Sequence, residues 1–208
     1  IFVIGKIPQR IWRSTASGQW DFYMTWQYSD DGGVSWGNAL TLTPNYITDS
    51  LITLDSMVTV DIPITVDQLL IKGTLVQNAG ITINDGPGDD IVVTGTYQRQ
   101  AASLIINSGA NMVFNQYSVY NHIMDGDTIP TAAWDSLSTL SISGVTGAMP
   151  AGMNQAFGNI IWSCYGQTVD ITLPGGPSFA ARNLSIASSC DTAWVAHGVY
   201  LTSAAKPS

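Results

Sequence analysis

The chain is expected to be all-β, a β-solenoid with a β-sandwich as the alternative, and three observations lead there. Its fifteen acidic residues are all Asp, with no Glu in 208 residues. Glu favours helices, whereas Asp competes with the backbone and prefers turns and caps. Charged residues make up only 11%, with seven Lys and Arg in total, so the residues of a solvated helix face are nearly missing. Thr, Ser, Val, Ile, Gly, Asn and aromatics take their place, as in β proteins with many turns. Finally, Ile71-Lys72-Gly73-Thr74-Leu75 returns as Val93-Thr94-Gly95-Thr96-Tyr97, an offset of 22 residues. An offset near twenty is the mark of β-coils, each of which must stack on the next to bury its inner face. The sandwich reading takes the same runs as strands spaced about every ten residues.

Residues 1–50 are expected to form an aromatic-rich N-terminal β cap. Trp12, Trp20, Phe22, Tyr23, Trp26, Tyr28, Trp36 and Tyr46 all fall here. The run from Trp20 to Tyr28 reads as one strand, with Trp20, Phe22, Met24 and Trp26 on a single face. A shared face favours core packing over an open solenoid end. The competing reading makes Trp20, Trp26 and Trp36 stacking platforms for the apolar faces of sugar rings. Ser29-Asp30-Asp31-Gly32-Gly33-Val34-Ser35-Trp36 is a strong turn signal. It resembles the Asp-box of sialidase-type propellers, which implies an Asp bonded to turn N–H groups with the Trp packed beneath. One copy does not make a propeller, and the Arg and acidic cluster of a sialidase is not visible.

Residues 51–190 are expected to be the solenoid. Met57-Val58-Thr59-Val60, Gln68-Leu69-Leu70-Ile71, Ile81-Thr82-Ile83, Ile91-Val92-Val93 and Leu104-Ile105-Ile106 are β-branched runs separated by Gly and Asn. The segments beginning at Gly80 and Gly109 look like further rungs. Ile129-Pro130-Thr131-Ala132-Ala133-Trp134 is a break, because Pro is excluded from central strands. Strand-like runs resume at Leu140–Ile142, Asn159–Trp162, Val169–Leu173 and Asn183–Ile186. Any helix is expected to be a single turn. Residues 191–208 read as a C-terminal tail.

A net charge of −8 argues against nucleic acid and against binding to anionic lipid. No apolar run reaches the roughly 18 residues of a transmembrane helix, so membrane insertion is not expected. The opening Ile1-Phe2-Val3-Ile4 reads as mid-strand, and the chain as a processed protein or part of a larger polypeptide or complex. Cys164 and Cys190 are either two free thiols or one disulfide of an exported protein.

Gly86-Pro87-Gly88-Asp89-Asp90-Ile91-Val92 resembles one calcium nonapeptide repeat. Calcium takes about six to eight oxygens, and Asp85, Asp89 and Asp90 are the candidate ligands, with an ordinary Asp/Gly turn as the alternative. Asp125 and Asp127 form a weaker acidic pair. Catalysis is poorly served. His122 and His197 have no nucleophile or acid motif around them, and no HExxH, P-loop, GxSxG or CxxC occurs. Parallel β-helices include polysaccharide lyases, which use Lys or Arg beside calcium carboxylates. Lys72 and Arg99 are the only basic residues between 14 and 181, so that reading is thin.

The aromatic start, the DGGxSW turn, the Gly-Thr-Leu-Val and Ser-Gly-Ala rungs, Tyr120-Asn121-His122, Ile129–Trp134 and Gly152–Cys164 come in a familiar order. Over residues 18–186 the chain resembles right-handed β-helix-like modules of large adhesin-like proteins that Bacteroidota export by the type IX route. The resemblance implies a right-handed parallel β-helix, a secreted or outer-cell-surface location, and a glycan or surface-protein partner. Such proteins are O-glycosylated at Asp-Ser/Thr-apolar, which occurs here at Ser50, Ser56, Thr128, Ser136 and Thr192. The function expected is a non-enzymatic structural or adhesive module. The alternatives are a carbohydrate-binding or polysaccharide-processing module and a subunit of an extracellular filament.

Overall fold

The computed structural model describes residues 10–44, 49–175, 179–190 and 196–201. The described chain is all-β, and its one helical element is a 3-10 turn at Tyr23–Thr25. The N-terminal part forms β1 (Arg10–Ser14), β2 (Gly18–Gln19), β3 (Trp26–Ser29) and β4 (Gly37–Asn38). Nine short strands follow: β5 (Asp49–Leu54), β6 (Met57–Val60), β7 (Ile64–Val66), β8 (Leu69–Ile71), β9 (Thr74–Gln77), β10 (Ile81–Ile83), β11 (Ile91–Val93), β12 (Thr96–Arg99) and β13 (Leu104–Ile106). The rest are β14 (Met112–Phe114), β15 (Val119–His122), β16 (Ala133–Trp134), β17 (Thr139–Ile142), β18 (Ala156–Cys164), β19 (Ile171–Leu173), β20 (Ala180–Ser189) and β21 (Val199–Leu201).

From β5 to β13 the chain visits three sheets in rotation, and from β8 on each of these strands pairs in parallel with the strand three before it. The first sheet stacks β5, β8 and β11, the second β6, β9 and β12, and the third β7, β10 and β13. This parallel arrangement is compatible with a β-solenoid. Among the strand pairs of the described residues, only β1–β3 and β3–β4 are antiparallel. The 22-residue echo is a stacking register: Ile71 lies beside Val93 and Thr74 beside Thr96. Short strands alternate inward and outward residues, because successive side chains point to opposite faces. In the second sheet this gives a buried column of Val58, Leu75, Tyr97, Tyr120, Leu140 and Ile160.

Gly73 and Gly95 mark the corner between the first and second sheets. Their N–H groups donate to the carbonyls of Leu54 and Ile71 in the coil before. A Cβ on Gly95 would collide with the carbonyl oxygens of Lys72 and Gly73, so stacked corners leave no room for a side chain. The echo in the sequence is the trace of this close approach.

One expectation changes. The run from Trp20 to Tyr28 is not one strand: a turn and the 3-10 element separate Trp20 from β3. Trp20 and Trp26 are buried, but Phe22 and Met24 are 46% and 60% exposed, so the four do not share a face. The irregular turn lets Trp26 Nε1 donate to the Trp20 carbonyl at 2.8 Å and pack edge-on to its ring at 5.1 Å. Of the two alternatives for the cysteines, the structure has two free thiols at Cys164 and Cys190. Cys164 lies opposite Ser189 in the β18–β20 ladder. Cys190 is one residue further and therefore faces the other way.

The third sheet stops at β13, while the second runs on to β20. After β15, residues 123–132 are a loop with no named strand, in which Thr128 makes a single parallel bridge to Ala151: Ile129 N–H donates to the Ala151 carbonyl and Ala151 N–H to the Asp127 carbonyl. Pro130 sits in that loop without an N–H to give a ladder. Of the run Ile129–Trp134 expected to be a break, Ala133–Trp134 is strand β16, paired with β14 in the first sheet, and only residues 129–132 lie outside a named strand.

Candidate functional site

The loop and the free edge of β13 enclose a cleft of about 1060 Å³. Its floor is apolar, from Leu104, Ile106, Ala110 and Met112, with Pro130 and Ala132 opposite. Asp89, Asn107 and Asn111 lie past the end of β13, and Arg99, Ser103, Asp127 and Thr128 lie near its start.

The loop wall is tied down from inside the second sheet. Arg99 ends β12, between Gln77 and His122 in the ladder. Its guanidinium donates to the Asp127 carboxylate at 2.8 Å, to the Thr128 carbonyl at 2.8 Å and to the Ala102 carbonyl at 2.9 Å. The Arg99 side chain is 4% exposed and that of Asp127 is 32% exposed. Ala102 and Asp127 both adopt left-handed backbone, with φ of 65° and 60°. That conformation is uphill for residues with a Cβ, and both turns are held by the same guanidinium. His122 is fully buried, with Nε2 2.8 Å from the Gly126 carbonyl. The carbonyl accepts, so the proton is on Nε2. Burial holds the His122 pKa below its ordinary value. Tyr97 and Tyr120 stack edge-on beside this column, and burial pushes the Tyr120 phenol up to about 12. At the far side Gln155 Oε1 accepts from Ala132 N–H and Trp134 Nε1, while its Nε2 donates to the Pro130 and Gly152 carbonyls.

The sequence candidates are distributed differently from expectation. Asp90 is buried: its carboxylate accepts from Gly86 N–H at 2.6 Å and from Asn111 N–H at 2.8 Å, joining two coils. Asp89 points to the cleft region, and Asp85 lies against Gly109. Among the described residues no three Asp, His or Cys side chains converge as metal ligands, so Asp85, Asp89 and Asp90 are not gathered. The reason is that Asp90 is consumed by backbone donors. Asp125 is separate from Asp127: its Oδ1 accepts from Thr146, Gly147 and Ala148 N–H, each at 2.8 Å. Burial would raise its pKa, but these donors outweigh it and hold the carboxyl well below the usual range. In the Ser29–Trp36 turn Asp31 accepts from the Ser29 and Ser35 hydroxyls and from Val34 and Ser35 N–H, as the Asp-box resemblance implies. These bonds, that from Ser29 foremost, hold its pKa well below the ordinary value.

Trp20 and Trp26 present no open ring face, and half-buried Trp36 is covered by the Arg13 guanidinium at 4.1 Å. Of the glycosylation candidates, Thr128 and Ser136 are exposed, and Ser50 and Ser56 are half-buried. Thr192 lies outside the described residues. Lys72 pairs with Asp55 at 3.3 Å. The grouping of Gln77, Arg99 and His122 was not anticipated from sequence. The offset already found for glycines would have shown it, because these three polar residues recur at nearly the same interval.

No protein-family model matches this chain, and neither a curated protein nor a solved structure is found to match it.

Proposed function

We propose that the chain is a right-handed β-solenoid module of a secreted or cell-surface protein, capped by its aromatic N-terminal region, with a structural or adhesive role. One observation carries this reading: polar side chains, buried and at surface turns alike, hold the strands and turns together. Asp90 and Asp125 bond to backbone N–H groups, Asp31 to backbone N–H groups and the Ser29 and Ser35 hydroxyls, Arg99 to backbone carbonyls and Asp127, and Gln155 to backbone groups and Trp134. A stack built this way is a rigid spacer whose outer face meets solvent through hydroxyls and amides. The sequence resemblance to exported adhesin-like modules supports the location.

The terminal strand of the second sheet agrees with a stacking role. Leu184 and Ile186 are in register with buried Ile160 and Trp162, yet stand 37% and 44% exposed. The test is to incubate the purified protein with a panel of polysaccharides, with calcium and with chelator, following both binding and chain cleavage. The scaffold reading expects neither cleavage nor saturable binding. Cleavage of any polysaccharide overturns it in favour of a processing enzyme, and saturable uncleaved binding in favour of a carbohydrate-binding module.

A further inference from the structure

We infer that the cleft beside β13 is a docking slot for an extended peptide, which adds as the missing parallel strand of the third sheet. This goes beyond the scaffold reading and stands or falls separately from it.

The backbone makes the first argument. In the β10–β13 ladder, Ile81 N–H donates to the Ser103 carbonyl and Asn107 N–H donates to the Ile83 carbonyl. Ladder groups alternate sides, so the N–H and C=O groups of Leu104 and Ile106 point away from β10. That edge has no neighbouring strand among the described residues. Two donors and two acceptors therefore line the cleft at strand spacing. Exposed edges of this kind template the pairing of another chain.

The side chains make the second. Ile64 and Ile81 form one buried column in the third sheet, and Val66 and Ile83 the other. Leu104 and Ile106 continue these columns in register but are only half-buried. A strand with apolar residues at alternate positions completes both columns. Ala110, Met112, Pro130 and Ala132 supply the apolar walls around it.

Charge makes the third and sets the occupant. The lining carries Asp89, Asp127 and Arg99, and Arg99 is already paired with Asp127. Asp89 remains as an exposed carboxylate past the C-terminal end of β13. A parallel peptide ending in Lys or Arg places its cation there. The ligand is thus an extended segment of alternating apolar and small polar residues with a basic C-terminal end.

The probe is a fluorescein-labelled heptapeptide, Thr-Ile-Thr-Ile-Thr-Ile-Lys, titrated with the full chain and followed by anisotropy. Saturable binding is expected. N-methylation of alternate peptide nitrogens facing β13 removes the ladder donors and is expected to weaken binding about tenfold or more, since each bond is a modest net contribution. Asp89→Lys, an exposed position, is expected to weaken the unmodified peptide about threefold at low salt, with the difference shrinking as salt rises. Circular dichroism confirms that this variant is folded. Absence of saturable binding overturns the slot, as does equal affinity for the methylated peptide or for folded Asp89→Lys. Saturable binding of cello-oligosaccharides with none of the peptide overturns it in favour of a glycan groove.

Discussion

Arg99 and His122 do in the interior what caps and turns do at the surface: they satisfy backbone carbonyls of turns that belong to no named strand. Replacing Arg99 by Met strands the Asp127 carboxylate and two carbonyls. Breaking a buried pair costs about 3–5 kcal/mol, and Asp127 keeps some contact with water. We therefore expect Arg99→Met to lose about 2–3 kcal/mol in urea denaturation, after that solvent screening. His122 makes a second prediction. Its folded pKa is lowered by burial, so the unfolded chain binds more protons as the pH falls. Its contribution is complete above the unfolded value of about 6.5 and is lost as pH drops from there toward the folded value. Stability should decline from pH 7 to 5, and the decline should be shallower in His122→Gln. The buried phenols act at the other end. Tyr97 and Tyr120 have raised folded pKa values, so their contribution holds below about 10 and is lost as pH rises above it.

The three-residue strand is the repeating element, and its corners set the spacing of the stack. Gly95 at such a corner faces the carbonyl oxygens of Lys72 and Gly73. Gly95→Val forces the two coils apart, and overpacking of this sort costs about 1–3 kcal/mol or more. We expect a loss at the upper end of that range, read as a lowered denaturation midpoint. A Val at Gly88, which has open space around it but a φ of 94°, should act through backbone strain alone. The elements legible in sequence were those with this geometry: the runs at Ile81–Ile83, Ile91–Val93 and Leu104–Ile106 are β10, β11 and β13. The element that was not legible is the stretch from Trp20 to Trp26. Its alternation satisfies a strand pattern, but Trp20 and Trp26 bury against each other through a turn. Two large rings that gain more by contact than by a shared face override local periodicity.

At the scale of the whole molecule, among the described residues the second sheet ends on β20, with Leu184 and Ile186 exposed at the ends of two otherwise buried columns. Apolar side chains on a strand with no outer neighbour among the described residues favour association. The double variant Leu184→Lys with Ile186→Lys should change stability by no more than about 0.5 kcal/mol, as for other surface positions. It should also reduce self-association in sedimentation velocity at high protein concentration. Unchanged association of the variant would show that this face is not where copies meet.

The all-β class, the corner glycines, the 22-residue spacing and the Asp31 turn were determined by the sequence alone, because each depends on residues close in the chain or on a fixed repeat. A missing Glu, a Gly with no room for a Cβ and an Asp three residues from its N–H partner are local facts. The cleft, the Arg99–Asp127–His122 anchorage and the separation of Asp90 from Asp89 were decided only by the tertiary structure. They depend on which strand stops pairing and which backbone donors reach a given carboxylate. Stacking a chain of about 20-residue coils brings groups from different coils within hydrogen-bond distance, and no short window of sequence contains both partners.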